Sequence, residues 1–316
     1  MRYREFGSTG MRVSEIGFGG WGIGGRSYGS VARADALRAL ARAEELGCNF
    51  VDTARVYGDS ESILGEFLTT RRGKWLVATK YSGQPEGLRR IAEDQLRALR
   101  TDVIDLYQLH WVPRRRDIRW YAELRRLKVA GLARSIGVSL YTVNDIDFVL
   151  DRLELDAIQV SCNLLEPQPL VPRLAKIHSA RIGVIVRSSL KSGFLTGKFR
   201  RDAAFDGTAD LRGQMNAAEI ARLIDAVEGF RFLEKDAGSL LVAAARYPLS
   251  FPEVSTVILG TKNGEQADTN FGVVPGGVLS TDTRRQIRAR QRELGLLRRS
   301  LRERITAGLR SLAIWR

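Results

Sequence analysis

The chain is poor in the residues that hold small or metal-bound proteins together. Two cysteines, Cys48 and Cys162, are too few for a disulfide framework or a four-cysteine zinc site. Two histidines, His110 and His178, are too few for a multi-histidine metal centre, so no metal is expected. No stretch approaches the roughly 20 uncharged apolar residues of a membrane helix. Met1–Glu5 lacks the apolar core of a signal peptide. These absences point to a cytoplasmic protein that enters no membrane. No Pro/Gly/Ser-rich linker interrupts residues 1–316, which read as one domain. Acidic residues are also in deficit, and unevenly so. Residues 284–316 hold eleven arginines against Glu293 and Glu303, whereas the other 283 residues hold 39 basic and 34 acidic side chains. The body is nearly ordinary and the tail is strongly basic. Such a tail suits nucleic acid, an anionic surface or an acidic partner. Its apolar residues Ile287, Leu294, Leu297, Leu301, Ile305 and Leu309 recur at helical spacing, so a helix docked on the body with a solvated arginine face is the simpler expectation.

What the chain has in quantity is a repeat. Short buried-strand patterns recur at 15–19, 49–53, 75–80, 102–110, 135–139, 157–163, 183–189 and 255–260. Several are continuous apolar runs, as expected of parallel strands covered on both faces. Helical patterns fill the gaps: 36–46, ending at Gly47; 62–68; and 85–99, with Leu88, Ile91, Leu96 and Leu99 on one face. Eight strand–helix units in a chain of this length describe an α/β fold of the (β/α)8 TIM-barrel type. Residues 3–6 and 12–14 flank Gly7-Ser8-Thr9-Gly10 and predict an N-terminal β-hairpin closing the barrel floor. The segment from Lys191 to Leu241 breaks the spacing. Its polar part and the helical pattern at 217–233 read as the loop after the seventh strand and the covering helix.

Gly17-Phe18-Gly19-Gly20-Trp21-Gly22 fits the dinucleotide fingerprint G-x-G-x-x-G. That fingerprint opens a helix directly, but here the helical pattern begins only near Ala32, and no acidic strand end follows at the right distance. As the first loop of a barrel the stretch needs glycine for tight turns, and Trp21 falls at the pocket rim or packs in the body.

Four polar residues fall at or just after the C-terminal ends of successive strands. Asp52 ends the second strand, with Tyr57 five residues on. Lys80 ends the third, and His110 ends the fourth, within Leu106-Tyr107-Gln108-Leu109-His110-Trp111. Barrel active sites lie at this end. A free phenol titrates near 10 and is a weak acid for neutral solution. An adjacent ammonium from Lys80 is expected to lower it, with Asp52 holding Lys80 charged. His110 is placed to donate a hydrogen bond to a substrate oxygen. Together the four suit a carbonyl oxygen that gains charge and a proton.

Over nearly its whole length the chain resembles the aldo-keto reductase family. The matching stretches are 3–16, 50–65 with Tyr57-Gly58-Asp59-Ser60-Glu61, Ala78-Thr79-Lys80, 105–111, 131–139, 159–163, 189–198 and 257–270. The resemblance implies a catalytic tetrad of Asp52, Tyr57, Lys80 and His110, with Tyr57 as general acid, and NADPH extended across the barrel mouth. It implies that Ser139 and Gln159 hold the carboxamide, that Arg187 stacks on the nicotinamide, and that Ser188, Leu190 and Ser192 cover the pyrophosphate. Gly260, Thr261, Lys262, Gln266 and Asn270 match the adenosine-phosphate segment, with Lys262 placed for the 2′-phosphate. The substrate is then an aldehyde or ketone, with Trp21 and Trp111 lining its pocket, and the protein a monomer or loose homo-oligomer that binds no nucleic acid. The chain departs from the family pattern at Leu140, Leu259, Gln266 and Thr269. Arg114-Arg115-Arg116 follow His110 and select an anionic carbonyl compound or are merely solvated. A cofactor-binding regulatory or channel-associated subunit with little turnover is the alternative from another class.

Overall fold

Alternation of inward and outward side chains along eight short strands determines the architecture. The computed structural model describes residues 1–25, 29–112, 117–207 and 210–297. A hairpin of β1 (Tyr3–Glu5) and β2 (Arg12–Ser14) comes first. The strands β3 (Ile16–Gly19), β4 (Phe50–Asp52), β5 (Leu76–Tyr81), β6 (Ile104–Leu109), β7 (Ala133–Leu140), β8 (Ala157–Ser161), β9 (Gly183–Arg187) and β10 (Thr256–Gly260) then form a closed parallel barrel. The closing pair is β10 with β3, Val257 opposite Ile16 and Gly260 opposite Gly19. All eight strand patterns in the sequence correspond to barrel strands.

The helices between strands are α1 (Arg33–Glu45), α2 (Ser60–Leu68), α3 (Leu88–Leu99), α4 (Arg119–Val129), α5 (Val143–Arg152) and α6 (Leu174–Ala180). After β9 come α7 (Ala217–Glu228), the short α8 (Glu234–Ala237) and α9 (Leu240–Leu249); α10 (Gly264–Ala267) and α11 (Thr281–Glu293) follow β10. Pro85–Gly87 forms a single 3₁₀ turn, and the α-helix starts at Leu88. The covering helix after β9 is α9, and the expectation over 217–233 is corrected in that respect. There α7 is an added helix, opened by a reciprocal cap between Asn216 and Glu219. The basic tail is described only as far as residue 297. The helix ends at Glu293, with Gly295 at φ 69° just beyond. Ile287 is fully buried and Gln291 donates to the Leu164 carbonyl at 2.9 Å, so α11 docks on the body. Leu301, Ile305 and Leu309 lie outside the described residues.

Two apolar cores result. Outward residues such as Val51, Val77, Tyr107, Val138, Val160 and Val186 pack against the helices. Inward residues Phe50, Ala78, Leu106, Ala157 and Ile185 fill the lower barrel together with Phe6 and Val13 of the hairpin segment. Phe6 plugs the floor, its ring 5.9 Å from that of Phe50. A side chain at Gly183 would come within 2.9 Å of the Phe6 ring, so glycine is needed there. Arg4 ties the hairpin to the barrel through the Leu249 and Val254 carbonyls at 2.7 and 2.9 Å. Above the apolar layer, the inward positions turn polar.

Candidate active site

The same alternation that buries Phe50 points Asp52 inward one layer higher, and places Lys80 above Ala78 and Gln108 above Leu106. Lys80 is 1% exposed and its ammonium donates to Asp52 Oδ2 at 2.5 Å and to the Thr53 carbonyl at 2.8 Å. It also reaches Tyr57 Oη at 3.4 Å. Tyr57 comes from the loop after β4, and that loop can approach only because residue 24 is glycine: a Cβ there would sit 1.8 Å from the Tyr57 carbonyl oxygen. The His110 ring lies edge-on to Tyr57 with centroids 5.6 Å apart. The structure thus brings all four sequence-selected polar residues into one cluster. Trp21 stacks on Tyr57 at 5.3 Å, and Trp111 packs beside His110 at 5.3 Å. Both tryptophans are about half exposed and form the rim.

The electrostatics correct one expectation. The Tyr57 phenol is pushed well above its ordinary value, first by burial and then by the Asp52 carboxylate; Arg187 works the other way. The physical reason is that Lys80 and Asp52 are an ion pair without net charge, so Lys80 offers little to the resting phenol. Burial lowers the Lys80 ammonium, with Asp52 opposing. Burial, then the charges of Lys80 and Arg187, hold His110 down to about 3. At neutral pH the site therefore contains a protonated phenol and a neutral imidazole, beside the close contact of Lys80 with Asp52.

The residues singled out for a cofactor line one side of the mouth. Ser139 and Gln159 face each other in register on β7 and β8. Ser139 Oγ, Ser189 Oγ, His110 Nδ1 and Arg187 Nε are buried without a hydrogen-bond partner among the described residues. Ser188, Lys191 and Ser192 have φ of 58°, 46° and 53°, followed by Gly193 at 88°. Within this segment the Lys191 and Gly193 N–H groups donate to the Ser188 and Leu190 carbonyls at 3.0 and 2.9 Å, which folds the loop tightly back beside the mouth. Unpartnered polar atoms beside such a loop fit an amide and a pyrophosphate. Lys191 is anchored by an ion pair with Glu166, and Leu190 packs against the core. Arg187 lies over the Tyr141 ring at 4.1 Å and donates to the Leu140 carbonyl at 3.0 Å. Leu140 itself is buried in the outer core, so its side chain takes no part in the mouth. Gln266 Oε1 accepts from the Lys262 backbone at 2.9 Å, and Asn270 donates to the Gly260 carbonyl and Thr261 Oγ1 at 3.2 and 2.9 Å. These two side chains fix the turn after β10 that carries Lys262. Burial, then Arg212, lower the Lys262 ammonium, with Lys198 adding and Asp210 opposing. Arg114, Arg115 and Arg116 lie outside the described residues.

A model of the aldo/keto reductase family matches residues 15–291. The chain belongs to this family. It is an oxidoreductase that works between carbonyl and alcohol with a nicotinamide cofactor, the family's common chemistry. An aldo-keto reductase of Bacillus subtilis is 29% identical over 91% of this chain and 92% of its own. An NADH-specific methylglyoxal reductase of Escherichia coli is 27% identical over 81% and 84%. Among solved structures, a glycerol dehydrogenase of Gluconobacter oxydans superposes with a TM-score of 0.79, at 27% identity over 95% of this chain and 98% of that one. No helix among the described residues is long and apolar enough to cross a membrane, and no group of three or more of their His, Cys, Asp and Glu side chains is arranged to hold a metal ion.

Sequence reasoning singled out Gln159 but not its bond to Asp52, and it missed the other groups that surround the four. Gln108 and Gln159 both donate to Asp52 Oδ1, at 3.2 and 2.8 Å. Behind Lys80, Glu61 accepts from Thr79 and Gln95, each at 2.6 Å, while the Tyr107 hydroxyl donates to Gln95 Oε1 at 2.6 Å. A glutamine or tyrosine inside an apolar strand gives a signal only as an interruption of the run; its partner comes from distant sequence.

Proposed function

We propose that this chain reduces an aldehyde or ketone to an alcohol with NADPH, and that Tyr57 is the general acid. One observation carries the proposal: the Tyr57 hydroxyl sits at the bottom of an aromatic-rimmed mouth, 3.4 Å from a buried ammonium whose charge is already compensated by Asp52. When bound, the reduced nicotinamide supplies hydride to the carbonyl carbon. Tyr57 keeps its proton at neutral pH and releases it only as negative charge develops on the substrate oxygen. Lys80 then steadies the phenolate, and neutral His110 offers a hydrogen bond to the same oxygen. Trp21 and Trp111 exclude water around the carbonyl and seat the flat or apolar part of the substrate.

Ser139 and Gln159 would hold the carboxamide and Arg187 the ring face. The loop from Ser188 through Ser192, with Leu190 packed beneath it, would hold the pyrophosphate. Gly260, Thr261, Lys262, Gln266 and Asn270 would form the adenosine end. The Lys262 ammonium, with Lys198 nearby and Arg212 paired to Asp210, supports NADPH over NADH. A cytoplasmic, monomeric or loosely oligomeric protein working as a single unit is part of the same proposal, as is a small carbonyl substrate. A binding subunit without turnover has no support in the family match.

Fluorescence titration of the purified protein with NADPH and NADH tests the cofactor reading. NADPH is expected to bind more tightly, and Lys262→Ala to weaken NADPH about tenfold with little effect on NADH. Equal affinities that ignore Lys262→Ala would refute the choice of cofactor. Oxidation of NADPH that depends on an added aldehyde tests the direction.

A further inference from the structure

We infer that Gln108 is a positioning residue: it holds the Asp52 carboxylate so that one oxygen serves Lys80 while the other fixes the amide of Gln159. This rests on the reading just given, in which NADPH occupies the mouth and Gln159 meets its carboxamide. The geometry behind it is a three-donor clamp. Asp52 Oδ2 accepts from Lys80, and Asp52 Oδ1 accepts from both Gln108 Nε2 and Gln159 Nε2. The donors come from three strands, β5, β6 and β8, and Gln108 is the register partner of Lys80.

An ionised carboxylate can only accept, so each glutamine must turn its NH₂ toward Asp52. For Gln159 this decides the rest. Its amide is planar, and its oxygen is turned away from Asp52. The ligand group it can meet is a donor, such as the NH₂ of a carboxamide. Asp52 thereby governs two ends of the site: the ammonium beside Tyr57 and the orientation of the cofactor's amide. Gln108 is what keeps Asp52 from rotating between them. Its own Oε1 is buried with no partner among the described residues. An unpaired buried acceptor is costly, and the side chain carries that cost while its NH₂ stays on Asp52. A purely space-filling role would be served better by an apolar side chain of the same volume.

The test uses Gln108→Met, which keeps the volume and removes the donor, and Gln108→Glu. Each is titrated with NADPH and with an adenosine bisphosphate that carries the 2′- and 5′-phosphates but lacks nicotinamide, beside wild type at each pH. Gln108→Met should weaken NADPH about tenfold, the loss of one hydrogen bond to a charged group, and leave the bisphosphate unchanged. In Gln108→Glu the acid form can donate to Asp52 but the ionised form repels it. The charged groups facing position 108 are Asp52 on β4 and Lys80 on β5, with His110 above; Gln159 on β8 is uncharged. Burial and Asp52 keep such a carboxyl protonated to higher pH, so NADPH binding should be near wild type in acid and weaken as pH rises. Unchanged NADPH affinity in both variants overturns the inference. So does equal weakening of NADPH and the bisphosphate, which marks general loosening. If Gln108→Met does not fold, the pH dependence of Gln108→Glu decides alone: a flat profile refutes the coupling. Wild-type protein that ignores NADPH while binding NADH, or neither, overturns the underlying reading instead.

Discussion

The floor and the mouth of the barrel are built from the same strands, a few residues apart, by opposite rules. At the floor, Phe6, Val13, Phe50, Ala78, Leu106, Ala157 and Ile185 close an apolar plug. At the mouth, Ser139, Ser189, His110 and Arg187 keep buried polar atoms without partners among the described residues. Backbone strain follows the same division. Among the described residues, five non-glycine residues have positive φ. Arg100 and Arg181 simply end helices. The other three, Ser188, Lys191 and Ser192, share one loop at the mouth, at about 1 kcal/mol or more each. One end is arranged for stability. The other presents buried polar atoms that a polar ligand would pair.

The largest expected effect isolates the mouth. Tyr57→Phe removes the proton donor but keeps the ring stacked under Trp21. Carbonyl reduction should fall by about 10²–10⁴-fold, with NADPH affinity and melting temperature near wild type. Near-normal turnover in this variant would sink the assignment of Tyr57. The next substitution isolates the floor. Phe6→Ala empties the plug and should cost about 3–5 kcal/mol of stability, read by denaturant unfolding. Below its melting point the variant should turn over at close to the wild-type rate. A large drop in kcat in protein that remains folded would show that floor and mouth are not separable.

The smallest effect shows the mouth acting on stability. His110 is held to about 3 in the folded chain, by burial first and then by Lys80 and Arg187, and returns to about 6.5 on unfolding. Unfolding takes up a proton between these values. Stability from this group is therefore intact above about pH 6.5 and falls progressively as pH drops toward 3. The loss is about 1–2 kcal/mol at pH 5. His110→Asn should remove that slope. A wild-type and a variant profile that run parallel from pH 7 to pH 5 would show that the imidazole is not held neutral.

The same division explains what could be read in the sequence. Strands fully covered on both faces announce themselves as apolar runs, and all eight were legible. Asp52, Lys80 and His110 were legible because each is a polar residue closing such a run. Leu240–Leu249 was not, because α9 buries nearly every side chain, including Leu240, Val242, Ala243, Ala244, Ala245 and Leu249. A helix covered all round has no periodic stripe. Gln108 was not legible because its meaning lies in Asp52, 56 positions away in sequence. The state of Tyr57 escaped for a related reason. Pairwise chemistry foresaw an ammonium beside a phenol, but burial and the counter-charge of Asp52 outweigh it. Tyr141 behind Arg187 was equally silent, since an exposed tyrosine in a loop carries no pattern.

The Phe6 plug also bears on the order of events. A cylinder sealed at the bottom has a single doorway, so two molecules that meet inside must pass one after the other. On the reading above, the nicotinamide rests against Ser139 and Gln159, both fully buried beneath the mouth, and the carbonyl compound lies nearer the entrance. The deeper guest must arrive first and leave last.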